Sequence, residues 1–318
     1  MRYRILFYIG LLLLSGWLLM GCRPPELVAT PVVASEGSAQ SSTTATPEPT
    51  ETPLPSATPT ATNSPTPTEV PPPTATPLPQ PTPDGQIRSV RVPILMYHYI
   101  SELPPDADKW RVDLTVSPEN FESHLRWLSE NGYQSITLAD LLMALQTGAP
   151  LPEKPIIITL DDGYRDAYVH AFPLLKQYNM RATVFVITSL LDENNVDFLS
   201  WDMATEMSAA GIDIESHTVY HPDLRDSDYE RLRHELVESR LAIEAHTHIP
   251  SRFLCYPSGL YNPDVMQAVR ESGYWAGITT MQGTLHTNAN LWEIKRVRVR
   301  DNATTEQLLA LIAYLDAM

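Results

Sequence analysis

Two short apolar runs in the sequence each give way to a cluster of ionisable residues. The run 155–160 ends in Asp161-Asp162-Gly163, and the run 212–214 is soon followed by His217-Thr218-Val219-Tyr220-His221. Both runs have the character of buried strands, so both clusters should lie where strands give way to loops. Loops at the ends of a rigid sheet are where functional groups usually gather. The chain is therefore expected to fold so that these two strand ends meet.

The residue types in the two clusters suit a divalent cation. One carboxylate and two imidazoles offer one oxygen and two nitrogen ligands and leave coordination positions open, while the second carboxylate stays free to move protons. Taken alone, an Asp-Asp pair is more typical of a turn or a helix cap, and two histidines four residues apart are often incidental. Their joint occurrence favours a metal site.

Strand-like and helix-like stretches alternate after residue 88. Ser117 is expected to cap a helix that starts at Pro118, buries Phe121, Leu125 and Leu128, and stops at 131–132. Repeated strand-helix units predict an α/β fold whose parallel sheet is closed or nearly closed, with the site at the C-terminal ends of the strands. Further strands are predicted at 156–160, 182–188, 212–215, 252–256, 274–279 and 293–299, and further helices end near 178 or span 201–210, 227–245, 263–271 and 305–315.

The N-terminus has the pattern of a secretory signal. Arg2 and Arg4 precede an apolar run at 5–20, which is short for a membrane span. The following Leu19-Met20-Gly21-Cys22 resembles the lipobox of bacterial lipoproteins, in which Cys22 would be lipidated and become the first mature residue. The alternative is an uncleaved anchor helix. Either reading predicts an extracytoplasmic domain that is held at the cell membrane.

A Pro/Thr-rich segment follows, from residue 23 to about 86. It lacks the apolar content that would offset the entropy of ordering, so it is expected to be a disordered tether. At about 3.1 Å per residue, roughly 65 residues reach on the order of 200 Å when extended. The predicted organisation is a signal at 1–21, the lipidated cysteine and linker at 22–88, and one folded domain at 89–318, which is long enough for a single barrel.

The net charge limits the kinds of molecule that the chain can bind, and the cysteine content limits its disulfide bonds. A formal net charge of -16 disfavours nucleic acid and anionic bilayer surfaces, which bind through an excess of Lys and Arg, and it suits a neutral or cationic polymer. Nothing points to a protein partner. Cys22 and Cys255 are the two cysteines, so a lipidated Cys22 leaves Cys255 without a partner, as a buried thiol that packs within a strand.

The two polar clusters resemble the signatures of the NodB-homology polysaccharide deacetylases, carbohydrate esterase family 4. The family's Thr-Phe-Asp-Asp-Gly appears as Thr159-Leu160-Asp161-Asp162-Gly163, and its His-Ser/Thr-x-x-His is unaltered at 217–221. The stretch 93–98 resembles the opening strand of one branch of the family, and 181–186 resembles the strand after the first motif. The resemblance covers nearly everything after residue 88 and implies a distorted (β/α) barrel of about seven units.

The resemblance also implies roles for the clustered residues. Asp162, His217 and His221 would hold a divalent metal, with Zn²⁺ the expected ion, and Asp161 would be the general base. A bound Zn²⁺ lowers the pKa of its water to about 7, which suits hydrolysis of an acetamide at neutral pH.

Two later motifs depart from the family pattern. The stretch Cys255-Tyr256-Pro257-Ser258-Gly259 stands where the family usually shows Arg-x-Pro-Tyr-Gly, so the Arg that would orient the base is Cys255 and the groove Tyr is Ser258. Tyr256, Pro257, Ser258 and Gly259 remain the expected substrate and oxyanion segment, with the Ser258 backbone amide as donor. The usual Leu-x-x-His acid has no counterpart at 291–299. His98, which ends a strand and should face the same rim, is the first substitute, and His286 is the second.

The resemblance leaves three functions open. The first is a metal-dependent deacetylase of an N-acetylated glycan, either an exported β-1,6-linked N-acetylglucosamine polymer or peptidoglycan. The second is a non-catalytic glycan-binding lipoprotein, and the third is an O-acetyl esterase of the same fold. The opening strand and the Tyr-Pro-Ser-Gly stretch resemble the branch that includes the exopolymer enzymes.

Overall fold

The computed structural model describes residues 80–318. The predicted signal segment, Cys22 and the tether up to residue 79 lie outside the described residues. Within residues 80–318, no helix has both the length and the apolar character needed to cross a membrane.

Twelve strands and nine α-helices make up the described residues, together with one π-helical segment at Ala167–Ala171 and two short 3₁₀ turns. The strands are β1 Ser89–Arg91, β2 Ile94–Tyr97, β3 Tyr99–Ile100, β4 Thr115–Val116, β5 Gln134–Ser135, β6 Pro155–Leu160, β7 Thr183–Val186, β8 Asp213–Ser216, β9 Phe253–Cys255, β10 Ala276–Gln282, β11 Leu285–Thr287 and β12 Ile294–Arg298. The helices are α1 Lys109–Leu114, α2 Pro118–Glu130, α3 Leu138–Thr147, α4 Phe172–Gln177, α5 Thr188–Asp192, α6 Trp201–Ala209, α7 Tyr229–Thr247, α8 Pro263–Glu271 and α9 Thr305–Asp316.

Seven parallel strands close into a barrel in the order β2, β6, β7, β8, β9, β10 and β12. Strand β2 makes the closure, because it pairs with β6 on one side (Leu95 opposite Ile158) and with β12 on the other (Leu95 opposite Val297). Strand β5 adds to the start of β6, and β1 pairs with β11 outside the barrel. The prediction of a (β/α) barrel of about seven units is confirmed.

Strands β2 and β6 are apolar on both faces because one face lines the barrel and the other is covered by helices. Alternate residues therefore belong to different clusters: Ile94 and Ile157 pack in the interior, whereas Leu95 and Ile158 pack against the helices. Helix α3 joins the interior cluster and contacts the first residues of several strands. This helix closes the N-terminal end of the barrel, so the opposite end is the one left for a site.

Several sequence predictions are confirmed at the level of single residues. Helix α2 starts at Pro118, the Ser117 hydroxyl accepts a hydrogen bond from the Asn120 amide, and the helix buries Phe121, Leu125 and Leu128 as expected. The helical stretch predicted to end near residue 178 ends at Gln177. It begins as the π-helical segment and continues as α4, because Pro173 lacks the amide that a regular turn needs. Helix α7 buries Leu232, Leu236 and Ile243, whereas Tyr229 at its start is 59% exposed.

Candidate active site

The polar clusters meet at the C-terminal ends of the barrel strands. Asp161 and Asp162 follow β6, His217 and His221 follow β8, and His98 follows β2. Parallel strands end at the same rim, so these side chains converge although they are up to 123 positions apart in the chain. The sequence prediction of one site at this rim agrees with the geometry.

Asp162, His217 and His221 form a compact group of potential metal ligands. The Nε2 atoms of His217 and His221 lie 3.3 Å and 3.7 Å from Asp162 Oδ1. Ligands held tetrahedrally at about 2.1 Å from an ion lie about 3.4 Å apart, so the three side chains fit a single divalent cation. Nδ1 of His217 donates to the Cys255 carbonyl oxygen at 2.7 Å, which leaves its Nε2 lone pair free for the ion.

The backbone separates the two adjacent aspartates. Asp162 has φ 69° and Gly163 has φ 74°, so the chain turns sharply as it leaves β6. Gly163 is needed here, since an added Cβ would lie 3.1 Å from a Val186 methyl group. As a result Asp162 faces the two histidines, while Asp161 points into the barrel, where it is only 2% exposed.

A buried guanidinium holds Asp161. Nη1 and Nη2 of Arg296, on β12, donate to Oδ1 and Oδ2 of Asp161 at 2.7 Å and 2.6 Å. Burial raises the pKa of the Asp161 carboxyl, but Arg296 outweighs burial and holds that pKa below its usual range. Asp161 is therefore a carboxylate at neutral pH, in a fixed orientation, as a general base must be.

Arg296 is the functional residue that sequence reasoning missed. Cys255 stands where the family usually has the base-orienting Arg, and the small thiol leaves room for a guanidinium that arrives from another strand. Its Sγ lies 3.2 Å from Arg296 Nη2 and 3.6 Å from Asp161 Oδ2. One signal in the sequence could have pointed to Arg296: it is a cationic residue in the middle of the predicted strand 293–299. Such residues are rarely buried unless they are paired with an opposite charge.

The two histidines that are candidates for the general acid lie in different surroundings. Nε2 of His98 lies 3.8 Å from Asp161 Oδ2, and its Nδ1 is buried without a hydrogen-bond partner. His286 lies on β11, is 3% exposed, and donates from Nε2 to the Val92 carbonyl oxygen. His98 therefore belongs to the site, whereas His286 is a packing residue of the β1–β11 ribbon.

The segment Tyr256–Gly259 can contribute only its backbone and its exposed serine to the site. Tyr256 is fully buried and stacks on Tyr261 at 4.8 Å, and Pro257 is also buried. Ser258 is exposed and adopts φ 54°. The predicted oxyanion role of this segment therefore stays with the Ser258 amide, and the Tyr256 side chain faces away from solvent.

A groove of about 910 Å³ adjoins the site. Its wall includes Tyr99 and Tyr164, which stack at 3.7 Å. Tyr99 directly follows His98, and Tyr164 lies two residues after Asp162. Phe198 also stacks on Tyr164, at 5.0 Å. The groove gives a long ligand room next to the clustered polar groups.

The fold and the site define a barrel hydrolase of the deacetylase type, and comparisons with known proteins identify the family. The family model described as "Polysaccharide deacetylase" matches residues 148–277. Bacillus subtilis YxkH, whose name assigns it to the polysaccharide deacetylases, is 33% identical over 231 residues, which are 73% of this chain and 78% of the relative. The poly-β-1,6-N-acetyl-D-glucosamine N-deacetylase of Staphylococcus aureus is 27% identical over 201 residues, 59% of this chain and 69% of the relative.

Among solved structures, the Streptococcus pyogenes deacetylase PplD, in complex with acetate, superposes with a TM-score of 0.66. It is 30% identical, and the match covers 71% of this chain and 99% of that one. The chain belongs to the polysaccharide deacetylase family, hydrolases that act on carbon-nitrogen bonds other than peptide bonds.

Metal content of purified variants should separate the ligands from the base. We expect His217→Ala and His221→Ala each to lose most of the bound divalent metal, because each removes a ligand, whereas Asp161→Asn should keep it. Elemental analysis of the wild type and the variants makes the comparison. A metal-free Asp161→Asn protein beside a metal-replete Asp162→Asn protein would show that the two carboxylates have the opposite roles.

Loss of the Arg296 guanidinium should cost stability as well as activity. Arg296→Met leaves Asp161 buried and unpaired, for which we expect a loss of about 3–5 kcal/mol in the free energy of unfolding. Arg298→Met on the same strand is the matched control: Arg298 is partly exposed, and its partner Asp113 keeps Arg300, so the loss should be about 0–1 kcal/mol. Denaturant unfolding measures both, and equal losses would contradict the central position of the Arg296–Asp161 pair.

Proposed function

We propose that the protein is a divalent-metal-dependent deacetylase that removes N-acetyl groups from a β-linked N-acetylglucosamine polymer at the cell surface. The observation that carries the proposal is the pairing of two different carboxylates at one rim. Asp162 lies against the Nε2 atoms of two imidazoles, and Asp161 is held by Arg296 as an ionised base. A purely glycan-binding protein has no use for this arrangement.

The ligand group Asp162, His217 and His221 would hold the ion, for which Zn²⁺ is our candidate. When bound, such an ion acidifies water and polarises the acetamide carbonyl. Asp161 then has the task of taking a proton from the attacking water. Both of its oxygens accept from Arg296, so the carboxylate is fixed in orientation and keeps lone pairs for that proton.

The departing amine needs a proton, and His98 is our candidate to deliver it. Burial lowers the pKa of His98, so the resting imidazole is neutral and must first gain a proton. Asp161 Oδ2, at 3.8 Å from His98 Nε2, is the nearest group that acquires one during the reaction. A proton that Asp161 takes from water can thus pass to His98 and on to the amine. The Ser258 amide is the proposed oxyanion donor.

For the substrate we favour an exported β-1,6-linked N-acetylglucosamine polymer over peptidoglycan. One relative is named for that polymer, and the groove beside the site can accept neighbouring sugars of a chain. The net charge of -16 suits a product that gains cationic amines as it is deacetylated.

Matched oligomers test the substrate assignment. We expect faster initial acetate release from β-1,6-linked than from β-1,4-linked N-acetylglucosamine oligomers of equal length, and a loss of roughly 10²–10⁴-fold on either series in Asp161→Asn, the range typical of a general base. A preference for the β-1,4 series would refute the exopolymer and leave the deacetylase intact. No release from these oligomers, peptidoglycan or acetylxylan by the metal-loaded protein would favour the glycan-binding alternative.

We further propose that Cys22 carries a lipid that holds the domain at the outer face of the cell membrane. The support is the lipobox-like Leu19-Met20-Gly21-Cys22 placed directly before the Pro/Thr-rich segment. Cys22→Ser should block lipidation and cleavage, and the product should migrate as an unprocessed precursor. A variant that is processed and fractionates with membranes like the wild type would contradict the lipid anchor.

A further inference from the structure

The two proposed histidine ligands lie on a short segment with an uncommon backbone. We call residues 217–221 the ligand loop. Thr218 and His221 have φ 71° and 56°, in the left-handed region that residues other than glycine rarely adopt. Each such residue costs about 1–2 kcal/mol and persists only where the surroundings hold it. The contacts that hold the loop therefore decide where the two imidazoles stand.

Every amide of the loop after His217 donates to a side chain. The Thr218 amide donates to Ser216 Oγ at 3.1 Å, and the His221 amide to Thr218 Oγ1 at 3.0 Å. The two amides between them, of Val219 and Tyr220, donate to one oxygen, Oε2 of Glu235, at 3.0 Å and 2.9 Å. The first two contacts are local, whereas Glu235 comes from another element.

Glu235 lies on the buried face of α7 and is 1% exposed. An acidic residue at such a position is costly to bury unless it is hydrogen-bonded, and the loop amides supply two hydrogen bonds to Oε2. Helix α7 is fixed to β8 by a 2.7 Å hydrogen bond between the Ser239 and Ser216 hydroxyls. Glu235 thus ties the middle of the ligand loop to a helix that is itself fixed to the barrel.

We propose that Glu235 is a positioning residue that sets the metal affinity of the site, by fixing the separation of His217 and His221 through the two amides between them. The inference rests on the proposed metal site. Glu235 has no contact with Asp162 or with either imidazole among the described hydrogen bonds, so it acts through the backbone alone.

Zinc affinity of the full chain, stripped of metal by a chelator, tests the inference. By competition with a chromophoric chelator, we expect Glu235→Ala and Glu235→Asp to bind Zn²⁺ about 10–100-fold more weakly than the wild type. The first removes the acceptor, and the second keeps the charge but is one methylene too short to reach. Glu235→Gln keeps an acceptor oxygen at the same reach and should stay within about tenfold.

Glu238→Gln is the matched control, because Glu238 is exposed on the same helix and should leave the affinity unchanged. Thermal unfolding of the metal-free proteins is measured in parallel, since a merely structural role would lower Tm and leave the zinc affinity alone. Wild-type affinity in Glu235→Asp or Glu235→Ala would overturn the inference. If the alanine variant fails to fold, Glu235→Asp against Glu235→Gln decides. A wild type that binds no zinc would instead refute the proposed metal chemistry.

Discussion

The ion pair between Arg296 and Asp161 is the interaction on which the arrangement of the site depends. Removing two charges from water costs several kcal/mol for each, and only good geometry with further hydrogen bonds compensates. Arg296 meets that condition: besides the two bonds to Asp161, it donates to the Thr279 carbonyl oxygen, to Thr159 Oγ1 and towards the Cys255 thiol. All the N–H donors of the guanidinium are used, so its position is fixed, and the carboxylate that it holds is fixed with it.

This pair requires the barrel to close. Asp161 follows β6 and Arg296 lies on β12, and β2, which leads to His98, lies between these two strands and pairs with both. The residues that match the family model are 148–277, so His98 lies before them and Arg296 after them, at the two strands that complete the ring. In this chain the strand that closes the barrel therefore also lies between the base and the arginine that holds it.

The sequence predicts those features that depend on residues close together in the chain. The cap at Ser117, the apolar strand before Asp161 and the spacing of His217 and His221 depend on neighbours in the chain, and the elements they predict are present. Arg296 and Glu235 could not be assigned in the same way, because each acts on a segment that only the folded barrel brings near. Each left only a weak trace: Glu235 falls three residues after Leu232, on the buried face of its helix, and Arg296 stands in the middle of a predicted strand. The backbone of the ligand loop left none, since Thr218 and His221 are ordinary residues in a rare conformation.

The small side chain at Cys255 has an evolutionary consequence. The common family pattern places an arginine at this position, whereas here the arginine that holds the base comes from position 296. Arginines at both positions would crowd two guanidinium groups around one buried carboxylate. If neither position carried an arginine, that carboxylate would be buried without a partner. Relatives should therefore carry an arginine at one of the two positions and a small residue at the other. A lineage that moves between the two forms must change both positions nearly at once, which would keep them as separate branches of the family.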